Sequence, residues 1–224
     1  IFYRLERVVL LDQGWFFFSE TPDIIYSRTF NDSYPAFASW AQFRDLSSGK
    51  QFRVVNVHTD FRSRENRRRS VALIAERMGP WIAAGETVFL SGDLNSRHGS
   101  ELHNVLEQTG LAFVQVDGAT YHLDLGLNLF GAIDHIGYSG GARAVGSAAV
   151  IREKFGDVWP TDHYPVVADF TLELELSTFW RSALFWSCSL TQRGVYAMQQ
   201  RRFGFHPRGS TGKFHGPAGP FFCA

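Results

Sequence analysis

Cysteine is nearly missing from this sequence: there are two in 224 residues, Cys188 and Cys223, both close to the end. A disulfide framework is therefore not what holds the fold together, and the compartment cannot be read from the thiols. No run reaches the roughly 18 apolar residues that span a bilayer. The opening IFYRLERVVLLD carries charge inside its apolar stretch, unlike a secretion signal, so localisation stays open. Net charge is also missing, with 22 basic and 22 acidic residues, and the total points to no class of partner. Acids stop altogether after residue 175. Residues 176–224 hold six Lys or Arg and no Asp or Glu, which leaves 16 basic against 22 acidic residues in 1–175, a net of about −6. Such a balance offers no broad basic footprint for nucleic acid.

Composition therefore separates a domain over 1–175 from a basic, aromatic tail over 176–224. The tail reads either as a segment for nucleic acid or membrane surfaces, or as a disordered or non-native end. Its lack of acids beside abundant Phe, Arg and Gly favours the second reading.

The chain as a whole is ordinary for a single globular domain with a real core, at 45% hydrophobic and 20% charged residues. Residues 7–12 and 14–18 read as strands, followed by a loop marked by Pro and Ser. Alternation returns in 36–44, SSGK makes a hairpin-like turn, and the β-branched run QFRVVNVH gives a partner strand over 51–58. Ser63 is placed to cap a helix running to about residue 84, with Val71, Ile74, Ala75 and Met78 on one stripe. A strand over 87–91 and a helix over about 100–109 follow. Short strands are expected at 112–117, 119–123, 131–138, 145–151 and 164–174. Strands outnumber helices, which favours mixed, largely antiparallel sheets packed face to face with helices outside.

Four apolar runs are broken by polar groups at a strand end or within a strand. They are His58 in VVNVHTD, Asp93 and Asn95 in FLSGDLN, Asp134 and His135 in GAIDHIGY, and Asp162 and His163 in WPTDHYPVVADF. Each alone reads as a turn residue, a cap or a satisfied histidine. Together they suit a shared cleft. Carboxylate oxygens suit a hard divalent cation, a water attacking phosphorus needs a base, and the developing charge needs donors. A His beside an Asp is held in its cationic form. There is no GxSxG elbow, and neither cysteine lies in this region to act as a nucleophile. The basic run RSRENRRRS at 62–70 reads either as a phosphate contact at the cleft mouth or as the solvated first turns of a helix.

NVHTD, SGDLN, ATYH, AIDHI and TDHYPVVADF occur in the order and approximate spacing of the endonuclease/exonuclease/phosphatase superfamily, and the chain resembles it over about residues 1–172. The resemblance implies an α+β fold, a four-layer α/β/β/α sandwich with two mostly antiparallel sheets. It implies a phosphoester hydrolase (phosphodiesterase, nuclease or phosphatase) that uses Mg²⁺ or Mn²⁺ to assist attack by water. Asp93 would orient or deprotonate that water, and Asn95 would help hold the phosphate or metal-bound water. Asp162 would be a metal ligand, and His163 would donate to the scissile phosphate. Asp134 would pair with His163, and His58 would contact phosphate or assist the leaving group. No role follows for Thr120 and Tyr121, and His122 reads as structural. The substrate would be nucleic acid, a phospholipid headgroup or a small phosphoester, and no stable protein partner is evident.

Leu94 and Thr161 stand where the family has Phe and Ser. Family members also begin with an Asn-bearing strand, a helix and a strand bearing the Glu that is the main metal ligand. Residue 1 here already falls in the strand after that Glu. The chain is thus expected to be N-terminally truncated and to bind metal weakly. A catalytically incompetent fragment or binding module that keeps the fold is the alternative.

Overall fold

The protein is described here from a computed structural model covering residues 1–30, 34–129, 131–154 and 156–172. The expected tail, 176–224, lies outside these described residues. Among the described residues ten strands and two helices follow one another: β1 (Val8–Phe17), β2 (Phe37–Asp45), β3 (Gln51–His58), α1 (Arg64–Ala83), β4 (Val88–Asp93), α2 (Glu101–Glu107), β5 (Ala112–Phe113), β6 (Asp134–Tyr138), β7 (Ala142–Ala144), β8 (Ala149–Val150), β9 (Val166–Val167) and β10 (Phe170–Leu172).

Six of the strands form one sheet in the order β1-β2-β3-β4-β6-β5, and β10 with β7 and β8 with β9 form two small pairs. Among the described strands only β3 and β4 pair in parallel; the other strand pairs are antiparallel. The parallel pair needs a long crossover, and α1 supplies it. Ser63 caps that helix as its position suggests, its Oγ accepting from the Asn66 N–H at 3.1 Å.

Alternation along the strands gives the sheet two apolar faces. On one, Ala38, Val55, Val57, Val88 and Leu90 pack with Val71, Ile74 and Met78 of α1 and with Leu102 and Leu106 of α2. On the other, Ala41, Phe43, Phe52, Val54 and Phe89 meet Ala142, Phe170 and Leu172 of β7 and β10. Val114 and Ile136 pack with Ala148 and Val166 of β8 and β9. Among the described residues the layers are thus helices, a main sheet and a second, broken sheet. Both described helices lie on the same face.

Several expected elements take a different form. The strands over 7–12 and 14–18 are one strand, since a register shift between Leu10 and Asp12 absorbs the polar interruption. The strand over 87–91 continues to Asp93, because β3 pairs with it as far as His58. Residues 119–123 form no strand and touch the fold's ladders only at the bridge between Tyr121 and His163. The strand expected over 164–174 is split into β9 and β10, and that over 145–151 is cut to β8, with β7 just before it.

Candidate active site

The polar residues come together because three strand ends stop in line. In the β3–β4 register His58 faces Asp93, and in the β4–β6 register Asp93 faces Asp134. Gly92 makes the first of these contacts feasible. A Cβ there would lie 1.9 Å from the Val57 carbonyl oxygen, and its φ of +137° is one that side chains rarely adopt. The ladder continues past the strand ends, with the Thr59 N–H donating to the Asp93 carbonyl and the Leu94 N–H to that of Ile133, each at 3.0 Å.

Asn95 then turns the chain with φ +46°, a left-handed conformation that Asn tolerates. Its backbone N–H donates to Asp93 Oδ1 at 2.7 Å. Its Nδ2 donates to Asp93 Oδ2 at 3.0 Å and to the Thr59 carbonyl at 2.8 Å. Both acceptors are oxygens, so the carboxamide orientation is forced and both amide hydrogens are committed.

His163 reaches the same point from the loop before β9. Its Nδ1 donates to Asp134 Oδ2 at 2.8 Å, and its Nε2 lies 4.0 Å from Asp93 Oδ2. His58 is mostly exposed, with Nε2 3.6 Å from the same Oδ2. Neither of these distances is a direct hydrogen bond, so two imidazole nitrogens face one carboxylate oxygen across a gap. Asp93 is pushed up to about 6, first by burial and then by the neighbouring Asp134 carboxylate. His163 is raised, first by its hydrogen bond to Asp134, and also by the charges of Asp134, Asp93 and Asp162. Together these leave a carboxylate more basic than usual next to an imidazole that favours its protonated form.

Thr120 and Thr59 position these groups, and sequence reasoning gave neither a role. Thr120 is fully buried; its Oγ1 accepts from the Ile133 and Asp134 N–H groups at 3.1 and 3.2 Å, and its carbonyl accepts from Tyr164 at 2.7 Å. It thereby ties the start of β6 to the loop that carries His163. Tyr121 bridges to His163 in the same loop, with ring centroids 5.0 Å apart. The only signal was their place in ATYH between two site segments. His122 packs against Tyr164 and Trp159 at 4.2 and 4.7 Å.

Asp162 is the sequence-expected residue that does not join the others. It is exposed, its carbonyl accepts from the His122 N–H at 2.9 Å, and its carboxylate acts on His163 through its charge. Among the described residues, Asp93, Asp134 and His163 form the group whose ligand atoms all lie within 4.8 Å of one another.

The basic run at 62–70 is largely engaged. Arg64 pairs with Glu101, Arg68 with Glu65 and Arg69 with Glu20. Arg67 donates to the Asp60 and Phe61 carbonyls. Arg62 lies over the exposed Phe61 ring. Most of the run therefore serves the start of α1, as the helix reading expects. Asp60, just after His58 and Thr59, belongs to the same junction. Burial alone would raise it, but hydrogen bonds from Asn66, Arg62 and Ser63, and the charge of Arg67, outweigh burial and hold it low.

Solved structures share this fold. A Bacteroides vulgatus endonuclease/exonuclease/phosphatase is 25% identical with a TM-score of 0.66, over 76% of this chain and 69% of that one. The chain belongs to the endonuclease/exonuclease/phosphatase superfamily. Bacteroides thetaiotaomicron mannosyl-6-phosphatase is similar in fold at 24% identity and a TM-score of 0.66, covering 75% of this chain and 69% of that one. D. rerio TDP2, complexed with single-strand DNA product, is more distant at 18% and 0.53, covering 75% and 70%. No protein-family model matches the sequence, and no curated protein does. Within the superfamily the solved neighbours thus include a phosphatase and a protein bound to DNA product.

Proposed function

We propose that this protein is a divalent-metal-dependent phosphoester hydrolase that directs water at phosphorus. The observation that carries the reading is the convergence of Asp93 Oδ2 with His58, Asn95 and His163 at the end of β4, backed by Asp134. Asp93 acts as the base. With a pKa of about 6 it is ionised at neutral pH yet more basic than an ordinary Asp. Asn95 fixes both Asp93 oxygens. Because its amide hydrogens are committed, its free side-chain oxygen suits accepting from water better than holding phosphate. His163, kept cationic by Asp134, donates to the phosphoryl group from Nε2. His58, exposed at the lip, is free to meet phosphate or the leaving group.

The donor set fits a divalent cation. Asp93 and Asp134 stand close enough to raise the pKa of Asp93, a repulsion that a cation relieves, and their oxygens with the His163 imidazole lie within ligand range of one another. Asp162, exposed beside the site, is the further ligand that the family resemblance adds. A bound Mg²⁺ or Mn²⁺ would supply Lewis-acid polarisation of a phosphoryl oxygen. A ligand imidazole must be neutral, so His163 keeps its proton for the phosphoryl group where the Asp93 and Asp134 oxygens hold the cation.

The test is turnover with Mg²⁺ or Mn²⁺ on sugar phosphates, a generic phosphodiester, single-strand DNA and phospholipid headgroups side by side. Asp93→Ala and His163→Ala should each lose on the order of 10²-fold or more. Undiminished activity in either variant contradicts the assigned roles, and binding of these substrates without turnover would favour the non-catalytic module.

A further inference from the structure

Three histidine rings gather where the loop after β4, helix α2 and strand β6 meet. His103 lies edge-on to His135 with ring centroids 4.4 Å apart, and His98 is 5.3 Å from His103 and 6.5 Å from His135. The hydrolytic chemistry proposed above uses none of them. His103 and His135 are buried, at 0% and 2% exposure, where an imidazole normally satisfies both nitrogens. Neither does.

His135 Nε2 is 2.9 Å from the Ser96 carbonyl, which only accepts, so Nε2 carries the proton and Nδ1 keeps its lone pair. That Nδ1 has no partner in good hydrogen-bond geometry, although the Ala132 carbonyl lies close enough to favour protonation of the ring. His103 Nδ1 is 3.1 Å from Ser100 Oγ, and its Nε2 is likewise buried without a partner. Glu107 follows His103 by one helical turn, and its Oε1 is 3.9 Å from His98 Nε2.

We infer that His98, His103 and His135, with Glu107 as a fourth donor, form a second metal site for an imidazole-binding ion such as Zn²⁺. Nitrogen donors suit Zn²⁺, Co²⁺ or Ni²⁺, whereas Mg²⁺ takes oxygen, so the two sites sort their ions by chemistry. The four side chains do not yet converge, since they are not among the groups whose ligand atoms lie within 4.8 Å of one another. His98, whose side chain is 58% exposed, has room to move, while His103 and His135 are buried. The carbonyl bond on His135 Nε2 is the outer arrangement that fixes the tautomer of a ligand histidine. Burial keeps His103 neutral, the form a ligand needs, with its pKa brought down to about 3. The competing account is an aromatic cluster completed by Phe113, which lies 4.6 Å from His103 and requires no ion.

The full chain is titrated with Zn²⁺ by calorimetry in excess Mg²⁺, and with Co²⁺ by visible absorption. Zn²⁺ should bind stoichiometrically despite the Mg²⁺, and Asp93→Asn should bind it equally well. His98→Ala alters an exposed side chain and should keep the wild-type thermal midpoint without ion. Its Zn²⁺ affinity should fall by at least the roughly 10-fold that loss of an outer-shell partner costs. Absence of Zn²⁺ binding in excess Mg²⁺, equal binding by His98→Ala, or loss of binding in Asp93→Asn overturns the inference.

Discussion

Asp134 serves two residues at once. Its carboxylate holds His163 in the charged form and, with burial, makes Asp93 reluctant to ionise. In chelator-treated protein, the His163 imidazole should titrate above the ordinary value of about 6.5. Asp134→Asn should bring it down, and a histidine-detected NMR titration reads both. An unchanged midpoint in the variant would remove Asp134 from that role. Thr120→Val tests the scaffold beneath. Leaving two backbone N–H groups without an acceptor should cost about 1–3 kcal/mol, while Thr120→Ser should restore most of it, as read by denaturant unfolding. The site segments were legible in the sequence because each broke an apolar run with a carboxylate or an imidazole. Thr120 was not, since its importance comes from bonds to Ile133, Asp134 and Tyr164, which are far from it along the chain or reached only through the fold. His103 was hidden for a related reason: it looks like one polar residue on a helix until α2 packs against β6.

Among the elements, β3, α1 and β4 position the corner, and their energetics are local enough to test. Leu90 is almost fully buried between the sheet and the helices, so Leu90→Ala should cost about 2–5 kcal/mol. Ser63→Ala removes the cap of α1 and should cost about 1 kcal/mol. Thermal or denaturant unfolding measures each, and a Leu90→Ala loss below that of Ser63→Ala would contradict the packing described here. Strands β2 and β3 and helix α1 were readable because pattern and propensity agreed along a long stretch. Residues 119–123 misled because their composition suits a strand, yet only Tyr121 finds a bridging partner. The small strands β7 to β10 are two or three residues each, too short to establish a period.

Taken as a whole, the molecule should show the strain of its site in the pH dependence of stability. With metal chelated, Asp93 keeps its proton from the ordinary 3.8 up to about 6, so between those values the native state binds more protons than the unfolded chain. Stability therefore falls as pH rises through that window. The raised His163 acts in the same sense. Its contribution is complete below its unfolded value of about 6.5 and is lost as pH climbs through the folded one. Asp60 and Asp45, both held low, act oppositely, adding stability above about 3.8 that disappears on further acidification. Unfolding midpoints against pH for wild type and Asp93→Asn should diverge across pH 4 to 6, and parallel curves would count against a strained Asp93.

The most direct test of the hydrolytic reading is phosphoester turnover with Mg²⁺ or Mn²⁺ by wild type and Asp93→Asn, each with its fold checked. Wild-type turnover should vanish with chelator and return on adding metal, and the variant should fall by on the order of 10²-fold or more. Turnover indifferent to chelator, or equal in wild type and Asp93→Asn, would contradict it.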